Sequence, residues 1–245
     1  MKRIAIVTGA VGGIGSEICR QLIKDGFRVV ATYRLENENK AKTWQNNLIQ
    51  EGLNIDVMPV DVSDFTSCSD LVNRIVSDIG PVAVLINNAG ITDDATMKNI
   101  TSEQWHNVLR TNLDSIFNMT KPVFQTMCDN GWGRIINISS INGQKGQFGQ
   151  VNYSAAKAGI YGFTKSLALE GARKGVTVNS ISPGYIGTKM VNEMPQAIID
   201  SIVKEIPIGR LGKPIEIANA VKYLVDEHSG FITGSDLSIN GGQHM

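Results

Sequence analysis

Cysteine and histidine are both scarce, with three of each in 245 residues. Cys19, Cys68 and Cys128 are odd in number and lack metal-type spacing, and His106, His228 and His244 are scattered. A disulfide framework and a zinc-type centre are therefore not what organises this chain, and no metal is expected. Cys19, beside Ile18 and near Leu22, reads as a core thiol, and free thiols suit a reducing cytoplasm. An excess of charge of either sign is also lacking, because Lys plus Arg and Asp plus Glu each number 23. No basic surplus points to nucleic acid and no polybasic run points to anionic lipid. Long apolar runs are missing too. The start, Arg3-Ile4-Ala5-Ile6-Val7-Thr8, breaks at Gly9 with no cleavage pattern after it, and no stretch could span a bilayer. A cytoplasmic chain with neither a membrane nor a nucleic-acid partner is expected.

What the sequence does have is a regular alternation of short β-branched runs with amphipathic helical stretches. The strand candidates are Arg3–Thr8, Arg28–Tyr33, Ile55–Val60, Val82–Ile86, Arg134–Ser140, Thr177–Ser182 and Asp236–Ile239. Helical patterns stand between them. Ile14, Ile18, Leu22 and Ile23 form one face, and Asp64 caps a helix that turns Leu71, Ile75 and Val76 inward. Ser102 opens a long helix carrying Val108, Leu109, Leu113, Ile116 and Phe117, and Pro214 starts another. Ile141–Gln150 reads as a loop. Segment 185–207 has no strand and carries Met190, Met194, Pro195, Ile198, Ile199 and Ile202, a lid candidate. No composition shift marks a linker, so residues 1–245 are expected to form a single α/β domain, a Rossmann-like doubly wound fold with a parallel sheet flanked by helices.

Several stretches fall where such a sheet binds ligands, at the C-terminal ends of its strands. Gly9-Ala10-Val11-Gly12-Gly13-Ile14-Gly15 joins a strand to a helix N-terminus, where free N–H groups and the positive dipole end favour an anion. An ordinary tight strand-to-helix connection would need the same glycines. The second strand ends Thr32-Tyr33-Arg34 without an acid, and a guanidinium there suits a ribose 2′-phosphate, although Glu36 and Glu38 weaken its field. Asn87-Asn88-Ala89-Gly90 ends the fourth strand, and buried asparagines there are costly unless bonded. Asn112 sits inside a helix, where asparagine is a poor helix former. Ser139-Ser140 ends the fifth strand. Tyr153 and Lys157 are four residues apart and share one helix face. An ammonium beside a phenol pulls its pKa down from about 10 and makes a proton donor. Taken alone, the pair also fits an exposed tyrosine and a solvated lysine.

Together, in this order and spacing, Thr8-Gly9-x-x-x-Gly13-x-Gly15, Asn87-Asn88-Ala89-Gly90, Asn112, Ser140, Tyr153-x-x-x-Lys157 and Pro183-Gly184 resemble the classical short-chain dehydrogenases/reductases along essentially the whole chain. The resemblance implies a seven-stranded parallel sheet. It implies that Tyr153 donates a proton to a carbonyl oxygen and that Lys157 lowers the tyrosine pKa and bonds the nicotinamide ribose. It also implies that Ser140 holds that oxygen and that Asn112 holds a water of a proton relay. The implied cofactor is NADPH/NADP+, with Gly9, Gly13, Ile14 and Gly15 at the pyrophosphate and Arg34 at the 2′-phosphate. Asp61 and Val62 would bracket the adenine, and Asn88, Ala89 and Gly90 would lie by the ribose. Pro183, Gly184, Ile186 and Thr188 would lie at the nicotinamide end. Gly12 departs from the basic residue that many NADPH-using relatives carry there.

Gly131-Trp132-Gly133-Arg134, Ser139 to Tyr153 and Asn240-Gly241-Gly242-Gln243-His244-Met245 are similar to the acetoacetyl-CoA reductases of polyhydroxybutyrate synthesis. This implies acetoacetyl-CoA as the acyl-CoA partner, with Gln147, Phe148, Gln150 and Tyr185 joining Ser140 and Tyr153 in holding it. The alternative is a 3-oxoacyl-acyl carrier protein reductase. Relatives also imply a homotetramer packed through the helices that begin near Ser102 and Gln150.

Overall fold

The computed structural model describes residues 2–245, apart from the side chain of Met190, whose place in the lid face lies outside the described residues. Seven strands form one sheet: β1 Ile4–Val7, β2 Arg28–Tyr33, β3 Asp56–Pro59, β4 Val82–Asn87, β5 Gly133–Ile138, β6 Val176–Pro183 and β7 Asp236–Ile239. Their order is β3-β2-β1-β4-β5-β6-β7 and every pairing is parallel. The expected doubly wound sheet is therefore observed. β1, β4, β5 and β6 are almost wholly buried, as near-continuous Ile/Val runs covered on both faces require. One core layer, with Val7, Ile18, Leu22, Ile136, Ile217 and Leu224, lies on one face. The other, with Ile6, Leu71, Ile75, Met119, Ile135 and Val178, lies on the opposite face.

Helix α1, Gly13–Lys24, buries Ile18, Cys19 and Leu22, and full burial of such an aliphatic side chain is worth about 1.5–3 kcal/mol. It stops at Asp25-Gly26, where Gly26 has φ +90°, a conformation that a β-carbon disfavours. Helix α2 spans Glu38–Gln50 and α3 spans Phe65–Asp78, with the Asp64 carboxylate accepting from Ser67 N at 2.6 Å. In α3 the inward stripe is Cys68, Leu71, Val72 and Ile75, and the expected Val76 is 41% exposed. Positions 68, 71, 72 and 75 keep the helical period, and one step further rotates out of the core.

The long helix expected from Ser102 is interrupted. Helix α4, Ser102–Leu109, runs into a π-helical turn at Arg110–Asp114 and then into α5, Ser115–Asp129. The wide turn changes the helical phase. Ile116 and Met119 face inward, whereas Phe117 faces out and stacks on Phe65 with ring centroids 5.9 Å apart. The expected loop after β5 contains a short helix, α6 Ile141–Lys145, capped by Ser140. Helix α7, Val151–Gly171, carries Tyr153 and Lys157. Segment 185–207 holds α8, Lys189–Asn192, and α9, Gln196–Glu205, and no described residue of α9 is fully buried. Helix α10, Pro214–Val225, packs beside α1. No described helix is long and apolar enough to cross a membrane.

Candidate active site

The chain reverses its direction across the sheet between β1 and β4, and a ligand crevice is expected at that switch point. The loop after β1 and the loop after β4 face each other there. A β-carbon on Gly9, which has φ +61°, would lie 2.9 Å from Ala89 Cα. Thr8 Oγ1 accepts from both Asn88 N and Ala89 N, at 2.9 and 3.0 Å. Asn88 Nδ2 donates back to the carbonyls of Thr8 and Gly9, at 2.9 and 3.1 Å. Asn87 is bonded through Asn137 Oδ1 at 2.8 Å, and Asn137 Nδ2 reaches Thr164 Oγ1 at 2.9 Å. These bonds offset the desolvation of asparagines at a buried strand end.

The same edge fits the phosphates of a dinucleotide. The N-terminus of α1 has no side-chain cap, Gly12 and Gly13 are exposed, and the first turn of the helix opens to that side. A β-carbon on Gly13 would meet Thr188 Cγ2 at 2.9 Å, so segment 185–188 closes over the loop. Gly15 is placed differently from Gly13. It is buried, and a β-carbon there would lie 2.6 Å from the Gly9 carbonyl and 2.8 Å from Asn88 Nδ2, so its role is close packing of helix on strand. Ile14 is half-buried against the core, Val62 and Ile186 are buried, and Pro183 ends β6. Gly184 is bonded to Ile239 and leaves no room for a β-carbon beside Asn240. Arg34 is half exposed and pairs with Glu36 at 3.2 Å. Ser63 holds the Asp61 carboxyl below its ordinary pKa, with Arg34 adding to the effect.

Asn112, Ser140, Tyr153 and Lys157 come together beside this loop. A β-carbon on Gly90 would sit 3.2 Å from Asn112 Oδ1 and 3.6 Å from Lys157 Nζ. The Asn112 amide clasps the main chain of Ile91, accepting from its N–H and donating to its carbonyl at 2.8 Å each. The side chain expected to hold a water thus spends one donor and one acceptor on fixing the strand-end loop, and keeps a second of each. The π-turn that bears it is a feature common at functional sites. Ser140 Oγ accepts from Asn142 N at 3.1 Å, which leaves the serine's own proton free to donate.

The Tyr153–Lys157 pair behaves differently from its sequence expectation. Lys157 is buried and its Nζ donates to the Ile138 carbonyl at 2.7 Å, 5.6 Å from the Tyr153 ring centroid. Burial pushes the lysine down to about 8. Burial also raises the Tyr153 pKa above its ordinary value, the Ser140 hydroxyl opposes that shift, and Asp94 and Tyr161 add to it. The protein alone therefore keeps the phenol protonated, because the ammonium is itself desolvated and turned toward a carbonyl.

The substrate candidates are less assembled. Gln147 and Phe148 are exposed, Phe148 by 87%, and Tyr185 is half-buried. The Gln150 amide is committed within the protein, accepting from Asn142 Nδ2 at 2.8 Å and donating to Asp94 Oδ2 at 2.7 Å. Some residues were not picked out from sequence. Asn152 is fully buried, and its Oδ1 accepts from Tyr153 N at 2.8 Å while its amide bonds the carbonyls of Asp93 and Gln104. Tyr161 bonds the Ser140 carbonyl at 3.0 Å. It lies four residues beyond Lys157 on the stripe that begins with Tyr153, and that helical period was its sequence signal. A surface depression of about 680 Å³, lined by Lys2, Arg3, Asp25, Gly26 and Phe27, lies at the opposite, N-terminal end of β1 and carries none of this chemistry.

The chain resembles known proteins along its length. It is 53% identical over 246 residues to an acetoacetyl-CoA reductase of Rhizobium meliloti (strain 1021), covering 100% of each chain. It is 52% identical to an acetoacetyl-CoA reductase of Cupriavidus necator, covering 100% of this chain and 99% of the other. Identity to a 3-oxoacyl-[acyl-carrier-protein] reductase of Escherichia coli (strain K12) is 41%, over 99% of this chain and 98% of the other. A crystal structure of an actinorhodin polyketide ketoreductase variant with NADPH superposes with a TM-score of 0.94 at 37% identity, covering 99% of this chain and 97% of that one. The short chain dehydrogenase family model matches residues 3–198, and on this evidence the chain belongs to the short-chain dehydrogenase family and is an oxidoreductase of that family.

Proposed function

We propose that the chain reduces acetoacetyl-CoA to (R)-3-hydroxybutyryl-CoA with NADPH, in polyhydroxybutyrate synthesis. The observation that carries the reaction type is the pairing of a half-buried Tyr153, whose phenol stays protonated, with the Ser140 hydroxyl beside the glycine loop. A nicotinamide held at that loop supplies the hydride. Ser140 donates to the carbonyl oxygen and stabilises its developing charge. Tyr153 gives that oxygen its proton. Lys157 and Asn112 hold the strand-end loops in place, and Lys157 offers its remaining N–H groups to the ribose. Gly9, Gly13, Asp61, Val62, Asn88, Ala89, Gly90, Ile186 and Thr188 form the remainder of the cofactor crevice, with segment 185–207 as its lid.

Names and identities of relatives support the coenzyme A thioester over the carrier-protein thioester. Local charge agrees. Acyl carrier protein is strongly acidic and needs a basic surface at the entrance. Met127-Cys128-Asp129-Asn130-Gly131-Trp132 has no base and one acid, although Arg173 and Lys174 remain nearby in the chain. The deciding experiment compares kcat/KM for acetoacetyl-CoA with that for acetoacetyl-acyl carrier protein at matched low salt. A higher value for the coenzyme A thioester is expected, and a clear preference for the carrier protein would move the assignment to fatty acid synthesis. NADPH is expected to be preferred to NADH. Arg34→Ala should raise KM for NADPH about tenfold, the value of a charge-assisted bond, and leave KM for NADH nearly unchanged. Equal losses with both cofactors would remove Arg34 from the 2′-phosphate. The assembly is proposed to be a homotetramer built through α4, α5 and α7, and light scattering that shows only monomer would refute it.

A further inference from the structure

We propose that Tyr161 is a positioning residue that fixes Ser140 for the reaction, acting through the Ser140 main chain. The inference rests on the reading of Ser140 as the group that donates to the substrate carbonyl. Ser140 stands at the junction of β5 and α6 with φ −165° and ψ 151°, where the chain leaves the sheet and turns into a five-residue helix. So short a helix has little stability of its own, and something must fix the peptide plane that follows Ser140. Two donors do so. Gly143 N–H reaches the Ser140 carbonyl at 2.9 Å and the Tyr161 hydroxyl reaches it at 3.0 Å. A carbonyl can only accept, so Tyr161 is the donor in the second bond.

The Tyr161 hydroxyl is itself held from the far side. Its oxygen lies 3.0 Å from Ser182 Oγ, whose single proton goes either to that oxygen or to the Asp236 carboxylate 2.8 Å away. That carboxylate also accepts from Ser180 Oγ at 2.6 Å and from Gln144 Nε2 at 2.7 Å. Gln144 belongs to α6, so the carboxylate that Ser182 and Ser180 approach is also tied to the same short helix. Four side chains from α7, β6, β7 and α6, namely Tyr161, Ser182, Asp236 and Gln144, therefore form a polar cluster beside the peptide that follows Ser140. The Ser140 side chain is coupled to this, because its Oγ accepts from Asn142 N, in the peptide next to the one whose carbonyl Tyr161 and Gly143 hold. Losing the Tyr161 hydroxyl would leave the Ser140 carbonyl with Gly143 alone and loosen the aim of the Ser140 proton. A small misplacement of a reacting group is enough to slow a reaction severalfold.

The test is a double-mutant cycle between Tyr161→Phe and Ser140→Ala, with purified protein and NADPH. It uses acetoacetyl-CoA and, separately, a small 3-oxo ester that needs no coenzyme A site. Tyr161→Phe in the wild-type background is expected to lower kcat about tenfold with little change in the substrate KM. NADPH affinity, read from nicotinamide fluorescence, should stay unchanged. In the Ser140→Ala background the same substitution should change kcat by less than about twofold, because the group it positions is already gone. Equal fold-losses in both backgrounds would show a general structural role and overturn the proposal, as would a wild-type-like kcat for Tyr161→Phe. If Tyr161→Phe does not fold, Ser182→Ala enters the same cycle with the same two outcomes. A wild-type protein that turns over the ester but not the thioester would refute the substrate reading alone, and the cycle would still decide the role of Tyr161.

Discussion

Tyr153→Phe is expected to lower the reductive turnover by about 10²–10⁴-fold, the usual worth of a general acid. Cofactor affinity should stay close to wild type. The substitution removes one hydroxyl from a side chain whose main chain is fixed in α7, with Asn152 Oδ1 accepting from Tyr153 N, so the crevice around it is left intact. Burial keeps the phenol protonated beyond the ordinary tyrosine range, which is the state that carbonyl reduction consumes. Oxidation of a hydroxyacyl product needs the opposite state, a phenolate. The reverse reaction should therefore accelerate as the pH rises through the alkaline range, and Tyr153→Phe should abolish that acceleration. A mutant that retains a third of wild-type turnover, or an unchanged alkaline rise in the oxidative rate, would remove Tyr153 from the proton-transfer step.

How far the sequence anticipates the structure depends on the range of the interaction. The strands were legible because runs such as Ile4–Val7 and Gly133–Ile138 are continuous and lie between glycine turns, and a parallel sheet buried on both faces needs just that. The joining of the Gly9 and Ala89 loops followed from the parallel order, since both lie at strand C-termini across the switch point. Phase was less legible. Phe117 was expected inside because periodicity assumes an unbroken helix, and the π-turn at Asn112 breaks that assumption, whereas Val76 stands one step past the inward stripe of the regular α3. Partners were the least legible. Gln150 looks like a free amide in sequence, yet Asn142 and Asp94 take both of its ends. Lys157 looks like a charge beside a phenol, yet its hydrogen bond goes to the Ile138 carbonyl. Side-chain hydrogen bonds between distant segments leave no period in the chain, so Ser182 and Asp236 were overlooked, and the period that places Tyr161 on the Tyr153 stripe does not tell what its hydroxyl bonds.

Lys157 should make the stability of the cofactor-free protein depend on pH in an unusual direction. Its pKa is about 8 in the fold and about 10.5 in the unfolded chain, and burial alone accounts for the shift. Between these values the unfolded chain binds more protons than the folded one, so stability rises with pH. The cost of the buried ammonium is fully present below pH 8 and is relieved as the pH climbs toward 10.5. The depressed pKa converts to about 2 kcal/mol of relief between pH 7 and 9.5. Lys157→Met fills much of the same space without a titrating group and should lack this contribution, although it leaves the Ile138 carbonyl without its donor. Denaturant unfolding of the two proteins across this range should show the stability difference moving in favour of wild type by about 2 kcal/mol. The same variant should lose nearly all turnover, because the group that anchors the β5 tip, and that is proposed to bond the ribose, is gone. Parallel pH curves for the two proteins would mean that Lys157 titrates near its ordinary value, and that its bond to Ile138 carries no buried charge.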